Sequence, residues 1–270
     1  MVKLHMLKSV TDTINTSFII EDGKNLIVFD GGFQSEAEYL HSYLSELGGV
    51  VNGWFLTHMH SDHVGAMIKI LNDYRDITVE KIYCNFPSDE YLEKCEPDRS
   101  PDSTLAYAEL FRKTVSDKKT CQITVNENDC FDFGEISVRV LLTHEGATGS
   151  VNNSSCVFSV EANDKRILFL GDLGESGGDR LLAKVDHNLL KSDYVQMAHH
   201  GQDGVGKNVY EVIRPRFCLW CTPSWLWANL GPNGYDTGIF KTIIVRGWIS
   251  SLRCVEKHYL MTKGTHVIEL

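Results

Sequence analysis

The sequence predicts an α/β fold in which two sheets pack together with helices outside, and three observations carry that expectation. Short apolar runs that read as strands alternate with amphipathic helical stripes. Both halves of the chain start with strands and pass into alternating helices and strands. No low-complexity linker separates the halves, so the 270 residues are expected to form one domain over 1–270.

In order along the chain, 2–9 and 16–32 read as strands. Asn15 marks one turn and Asp22-Gly23 the next, and Leu26-Ile27-Val28-Phe29 runs into Asp30-Gly31-Gly32. A helix fits 35–47, where Ala37, Leu40, Tyr43, Leu44 and Leu47 recur at helical spacing before Gly48-Gly49. Trp54-Phe55-Leu56 is a short buried strand, and Val64, Met67, Ile68 and Leu71 then form a helical stripe. A strand fits 79–84, the polar stretch 87–103 has the character of a lid or rim, and a helix follows over 104–116. Strands are expected at 121–125, 135–143, 155–162 and 166–170, then a helix near 178–185 and a strand at 193–198. A helix near 206–212, a strand at 216–221, a helix over 237–246 and strands near 257–262 and 265–269 complete the chain.

Composition excludes several classes of function. Hydrophobic residues make up 43% and charged residues 23%, with six prolines, which sets aside disorder and fibrous repetition. The net charge of -10, without a basic tail, argues against a broad grip on nucleic acid, because that grip neutralises phosphates with basic side chains. No apolar run of about 18 residues is present to span a bilayer, and residues 1–6 alternate instead of forming a signal block. A cytoplasmic protein, or one whose signal has been trimmed, is expected. The eight cysteines are expected as mostly free thiols, since several sit in apolar runs such as Ser155-Cys156-Val157-Phe158. Cys218-Leu219-Trp220-Cys221 has redox spacing but lies in a strand-like run, which points to core.

The chemistry concentrates in His58-x-His60-x-Asp62-His63, directly after the Trp54-Phe55-Leu56 strand. His58 and His60 can point the same way from the loop, and Asp62 and His63 face that space from the first turn of the next helix. Neutral imidazoles with a carboxylate suit zinc, iron or manganese, and two such half-sites can hold two ions close together. Further on, strand-like runs release His144 after Leu141-Leu142-Thr143 and Asp172 after Leu168-Phe169-Leu170-Gly171.

With these residues the chain resembles the metallo-beta-lactamase superfamily of hydrolases. The family's elements are an Asp ending an early strand, the His-x-His-x-Asp-His loop, a later His, a later Asp and a last His. This sequence supplies Asp30, His58, His60, Asp62, His63, His144, Asp172 and His199 in that order, over about 2–270. The resemblance implies a four-layered αββα sandwich and two divalent metal ions, zinc with manganese or iron as alternatives. By family role His58, His60 and His144 hold one ion, Asp62, His63 and His199 the other, and Asp172 lies between them. A water shared by the ions is the nucleophile, and Asp62 also orients it. Asp30 is implied as a support of the 58–63 loop and not as a ligand. His199 is taken as the ligand because it is nearer the end of the 194–198 strand run. That leaves His200 to meet an anionic substrate oxygen or protonate the leaving group.

His144 is followed by Glu145-Gly146 where many family members carry His-Thr-Pro-Gly, so a shifted partner stays open. Asn152-Asn153-Ser154-Ser155-Cys156-Val157, Gly171-Asp172 and Ala198-His199-His200-Gly201 are similar to the hydrolase domain of bacterial DNA-uptake channel proteins and to choline-phosphate esterases. Those relatives imply phosphodiester cleavage. Gln202 and the Trp225-Leu226-Trp227-Ala228-Asn229 stretch depart from the uptake pattern. The acidic charge favours a small or terminal phosphodiester over long nucleic acid, and membrane insertion is not expected. The alternatives are a lactone, thioester or amide hydrolase, and a non-catalytic metal-binding interaction module. Trp220 is expected in the core, with Trp225 and Trp227 left open between packing and a stacking surface.

Overall fold

Two seven-stranded sheets meet face to face in a computed structural model that describes residues 1–118, 120–145 and 149–270. In the first half β1 (Lys3–Met6), β2 (Ser17–Glu21) and β3 (Leu26–Asp30) form an antiparallel meander. After α1 (Ala37–Glu46) and the short β4 (Val50–Val51), β5 (Gly53–Phe55) lies parallel to β3. α2 (Ser61–Asp73) and β6 (Thr78–Val79), which pairs with β4, lead to β7 (Lys81–Cys84). α3 (Asp89–Cys95) and α4 (Thr104–Lys118) lead to β8 (Cys121–Thr124), and β5, β7 and β8 run parallel.

The second half repeats the plan. β9 (Cys130–Phe133), β10 (Ile136–Leu142), β11 (Val157–Ala162) and β12 (Lys165–Phe169) are antiparallel neighbours. α5 (Glu175–Lys184) and α6 (His187–Leu190) return the chain to β13 (Tyr194–Gln196), and α7 (Lys207–Ile213) to β14 (Phe217–Trp220). α8 (Ser224–Trp227) and α9 (Thr242–Ser251) precede β15 (Lys257–Leu260), with β12 to β15 parallel. Finally β16 (His266–Glu269) pairs with β1, tying the last strand to the first sheet.

The inner faces bury an aromatic core: Phe29 stacks on Phe169 at 4.2 Å and on Phe55 at 5.2 Å between ring centroids. Each fully buried Phe or Leu contributes about 1.5–3 kcal/mol relative to exposure. On the outer face of the first sheet lie α1, α2 and α4, with the Val64, Met67, Ile68 and Leu71 stripe buried. α5, α7 and α9 cover the second sheet through Leu181, Val209, Ile213, Val245 and Ile249. The order helix, sheet, sheet, helix is the expected αββα sandwich. Among the described residues no helix is long and apolar enough to cross a membrane.

Several elements differ from expectation. The last helix begins at Thr242 and not near 237, because Asn229 holds the preceding segment as a loop. Its Nδ2 donates to Asp236 Oδ1 at 3.0 Å and Gly238 O at 3.3 Å, and its Oδ1 accepts from Phe240 N at 3.2 Å. β9 and α3 were not expected as elements; β9 is a four-residue edge strand with two exposed positions, and α3 lies within the stretch read as a rim. All eight cysteines are free, and burial pushes the Cys218 thiol up to about 12 and Cys221 higher still, which removes redox reactivity from that pair. Trp220 is buried against the edge of Trp227 at 5.2 Å, so this part of the tryptophan group is packing.

Candidate metal centre

The site begins where β3 and β5 end side by side. Asp30, fully buried with φ of 53°, closes β3 and turns its carboxylate toward the loop after β5. Its Oδ1 accepts from Thr57 N at 2.8 Å, and its Oδ2 accepts from Thr57 Oγ1 and His63 Nδ1, both at 2.8 Å. The start of α2 presses on the turn after β3, where a Cβ on Gly65 would meet Gln34 N at 2.8 Å. That close approach needs glycine and fixes Asp62 and His63 in the first helical turn.

Two sets of donor atoms converge beside this support. Asp62, His63, Asp172 and His200 form one set, and His58, His60 and Asp172 the other, each with its ligand atoms within 4.8 Å of one another. In the first, His200 Nε2 lies 2.9 Å from Asp62 Oδ2 and 3.3 Å from Asp172 Oδ2, and His63 Nε2 lies 3.3 Å from Asp172 Oδ1. In the second, His58 Nε2 is 3.0 Å from His60 Nδ1 and 3.9 Å from Asp172 Oδ2. Asp62 Oδ2, His63 Nε2, Asp172 Oδ1 and His200 Nε2 are buried and complete no hydrogen bond among the described residues. Two carboxylates and two imidazoles, buried and converging with no hydrogen bond completed at these atoms, present the oxygen and nitrogen ligands that a divalent metal takes, so this set fits one.

The outer nitrogens of the rings are engaged in the way such a site needs. His58 Nδ1 donates to Thr57 Oγ1 at 3.1 Å, His63 Nδ1 to Asp30, and His200 Nδ1 to Cys221 O at 3.2 Å. Each bond leaves Nε2 facing the cluster. Burial, followed by the neighbouring His63 and His60, holds His58 well below the usual imidazole value. Burial also opposes charge on His63 and His200, but the Asp172, Asp30 and Asp62 carboxylates outweigh it at His63, and Asp172 and Asp62 at His200, raising the latter to about 9. In turn burial would raise Asp62 and Asp172, yet the facing His63 and His200 hold both below the ordinary carboxylate range.

Two of the expected ligands lie outside the donor sets. His200, not His199, points into the donor set. Both residues have positive φ, 49° and 55°, and this left-handed turn at the end of β13 swings the first ring outward and the second inward. His199 Nε2 accepts from Asn152 Nδ2 at 3.3 Å and lies 3.9 Å from Asp172 Oδ2, with its side chain 22% exposed, whereas His200 is fully buried. His144 joins neither donor set among the described residues. Its ring sits 6.3 Å from that of Tyr91 with Nδ1 buried and completing no hydrogen bond among the described residues, and burial with the nearby Arg180 charge lowers its pKa. Gly146, part of the departure after His144, lies outside the described residues.

Sequence reasoning did not single out Thr57, Glu96, Asn152 as a partner of His199, or Arg180. Glu96 Oε1 accepts from His60 Nε2 at 2.8 Å. Arg180 donates through Nη2 to Asn153 O at 3.2 Å, while its Nε and Nη1 are buried without hydrogen-bond partners among the described residues. No local pattern marks either residue, because each meets the site only through the fold.

The raised imidazoles give a prediction for the metal-free protein. Stability from a raised histidine is complete below the ordinary value of 6.5 and is lost as pH rises through the folded value, about 9 for His200. The unfolding midpoint of chelator-treated protein should therefore fall between about pH 6.5 and 10, while metal affinity rises over the same window as those protons leave. A metal-free midpoint that climbs across this range in thermal scans would mean that His63 and His200 are neutral when folded.

Comparison with known proteins follows the same direction. The family model for the metallo-beta-lactamase superfamily matches residues 10–202. YqgX of Bacillus subtilis (strain 168), described as a probable metallo-hydrolase, is 26% identical over 185 residues, covering 65% of this chain and 78% of that protein. The metallo-beta-lactamase fold protein YhfI from Bacillus subtilis superposes with a TM-score of 0.58 at 12% identity, over 100% of both chains. CmlA, a diiron beta-hydroxylase from Streptomyces venezuelae, gives a TM-score of 0.58 at 10% identity, with 100% of this chain covering 54% of CmlA. At these identities the structural likenesses establish the fold.

Proposed function

The chain belongs to the metallo-beta-lactamase superfamily, and from that membership and its paired donor sets we propose a binuclear metal-dependent hydrolase that cleaves a phosphodiester. The observation that carries the binuclear reading is Asp172, whose two carboxylate oxygens reach both donor sets. His58 and His60 with Asp172 would hold one divalent ion, and Asp62, His63 and His200 with Asp172 the other. Zinc suits these imidazoles and carboxylates best, and iron or manganese meets the same donor chemistry. Once bound, such ions would lower the pKa of a bound water and neutralise charge that develops on the substrate.

The chain's own groups supply the rest. Asp30 and Thr57 hold the 58–63 loop in one geometry. Asp62, buried with Oδ2 2.9 Å from His200 Nε2, would also orient the attacking water. His199, at the open edge beside Asn152, takes the place at the substrate's outer oxygens that the sequence had assigned to His200. A phosphodiester is supported by Arg180, a cation beside His144 whose Nη1 lies 4.0 Å from Glu145 Oε2 and whose buried Nε completes no hydrogen bond among the described residues, in a chain whose net charge is -10. It is supported also by the Asn152-Asn153-Ser154, Gly171-Asp172 and His199-His200-Gly201 elements.

The test is a panel on metal-reconstituted protein containing bis-nitrophenyl phosphate, a lactone, a glutathione thioester and a cephalosporin, with single-stranded and duplex DNA titrated with salt. Turnover of the small phosphodiester with weak salt dependence is expected. Exclusive turnover of carbonyl substrates would overturn the phosphodiester, and rapid internal cleavage of long DNA with steep salt dependence would overturn the small substrate.

A further inference from the structure

The polar stretch between β7 and α4 does more than border the site, because one of its carboxylates holds a ring of the metal centre. We propose that Glu96 is a positioning residue that locks His60 in the tautomer whose Nδ1 lone pair faces His58 Nε2. This rests on the reading of His58 and His60 as metal ligands.

The geometry runs through both nitrogens of one ring. His60 precedes α2 as its N-terminal flanking residue and is partly exposed, so the helix alone does not fix the imidazole. Its Nε2 lies 2.8 Å from Glu96 Oε1, and a carboxylate accepts only, so Nε2 carries the proton and donates. Nδ1 is then the lone-pair nitrogen, and it is this atom that sits 3.0 Å from His58 Nε2. His58 Nε2 carries no proton either, because its Nδ1 donates to Thr57 Oγ1, whose own hydrogen goes to Asp30 Oδ2. With both rings neutral, two lone pairs face each other at hydrogen-bond distance with Asp172 Oδ2 at 3.9 Å from His58, an arrangement that a cation bound by both nitrogens satisfies.

Glu96 is itself fixed. Its other carboxylate oxygen accepts from Thr104 Oγ1 at 2.6 Å, the first residue of α4, and its backbone N donates to Leu92 O at 2.8 Å to close α3. α4 in turn is bonded to α2 through Asn72 Nδ2 and Thr114 Oγ1 at 2.9 Å. The carboxylate is thereby held on the same packed helices that position the His58–His63 loop. Through Tyr91, whose hydroxyl donates to Ser150 O at 3.0 Å, α3 also reaches across to the second half of the chain. The segment read from sequence as a rim therefore acts on the metal centre through His60.

The test is titration of metal-free protein with cobalt(II), read by its visible absorption and by competition with a chelator, for wild type, Glu96→Ala and Glu96→Gln. Partners of this kind change metal affinity by about 10–100-fold when removed. Glu96→Ala should weaken one of the two ions by about that factor and alter its visible bands, leaving the other ion unchanged. Glu96→Gln, whose amide oxygen still accepts from Nε2, should recover most of the loss. Two ions bound by wild type with unchanged affinities in Glu96→Ala would overturn this role alone. Equal weakening of both ions together with a lower unfolding midpoint of the metal-free protein would also overturn it, as the mark of a helix prop. Wild-type protein that binds no cobalt would instead overturn the metal-centre reading itself.

Discussion

Asp172→Asn should lower turnover by more than about 100-fold and reduce bound metal below two ions per chain, with the protein still folded. Removal of a group that merely orients a ligand costs about 10–100-fold, and Asp172 is an anionic donor shared by both sets, so its loss must exceed that range. The amide keeps the shape of the carboxylate, and the side chain lies outside the aromatic core between the sheets, so packing is preserved. What changes is charge. His63 Nε2 and His200 Nε2, each 3.3 Å from Asp172, lose the carboxylate that chiefly raises them, and both rings move toward the neutral form. Elemental analysis of protein purified without chelator, set beside turnover of the phosphodiester that the panel selects and a thermal scan, checks all three parts. Two ions per chain with turnover within tenfold of wild type would move the shared donor elsewhere.

The layers and one part of the site were legible because they are written locally. An apolar strand followed by three histidines and an aspartate within six residues states both the strand end and the donor types, and His58, His60, Asp62 and His63 do converge with Asp172. The buried stripe of α2 is equally local, since helical spacing alone selects Val64, Met67, Ile68 and Leu71. Which of the rings of His199 and His200 turns toward Asp62 and Asp172 was not legible. Distance from the end of a strand favours the nearer residue only while the backbone stays extended, and the left-handed run 199–201 breaks that rule with a glycine only at its third position, after both histidines. Glu96 was invisible for a different reason: it meets His60 across 36 positions of sequence, in a stretch where acidic residues are ordinary solvent-facing ones. The displaced start of α9 is a tertiary override, in which one asparagine side chain replaces helical bonds that the local pattern would permit.

His200→Ala should cost one bound ion and more than about 100-fold in turnover, while His199→Ala should keep both ions and lose turnover by a smaller factor. The contrast follows from what each ring touches. His200 is fully buried, its Nδ1 fixed by the Cys221 carbonyl and its own carbonyl accepting from Thr222 Oγ1 at 2.6 Å, so that Nε2 has nowhere to face but Asp62 and Asp172. Deleting it leaves those two buried carboxylates with His63 as their remaining imidazole in that set. His199 is engaged by Asn152 and by the Asp203 carbonyl at 3.4 Å, both outside the donor sets, and its ring is partly open to solvent. On the proposed reading its removal would take away a contact with substrate, raising KM or slowing departure of the leaving group without emptying a metal position. Metal content and steady-state kinetics of the two variants, measured side by side on the same preparation scheme, decide the matter. Loss of an ion in His199→Ala with full occupancy in His200→Ala would restore the order that proximity to β13 suggests, and would require the turn at 199–200 to rearrange when metal binds.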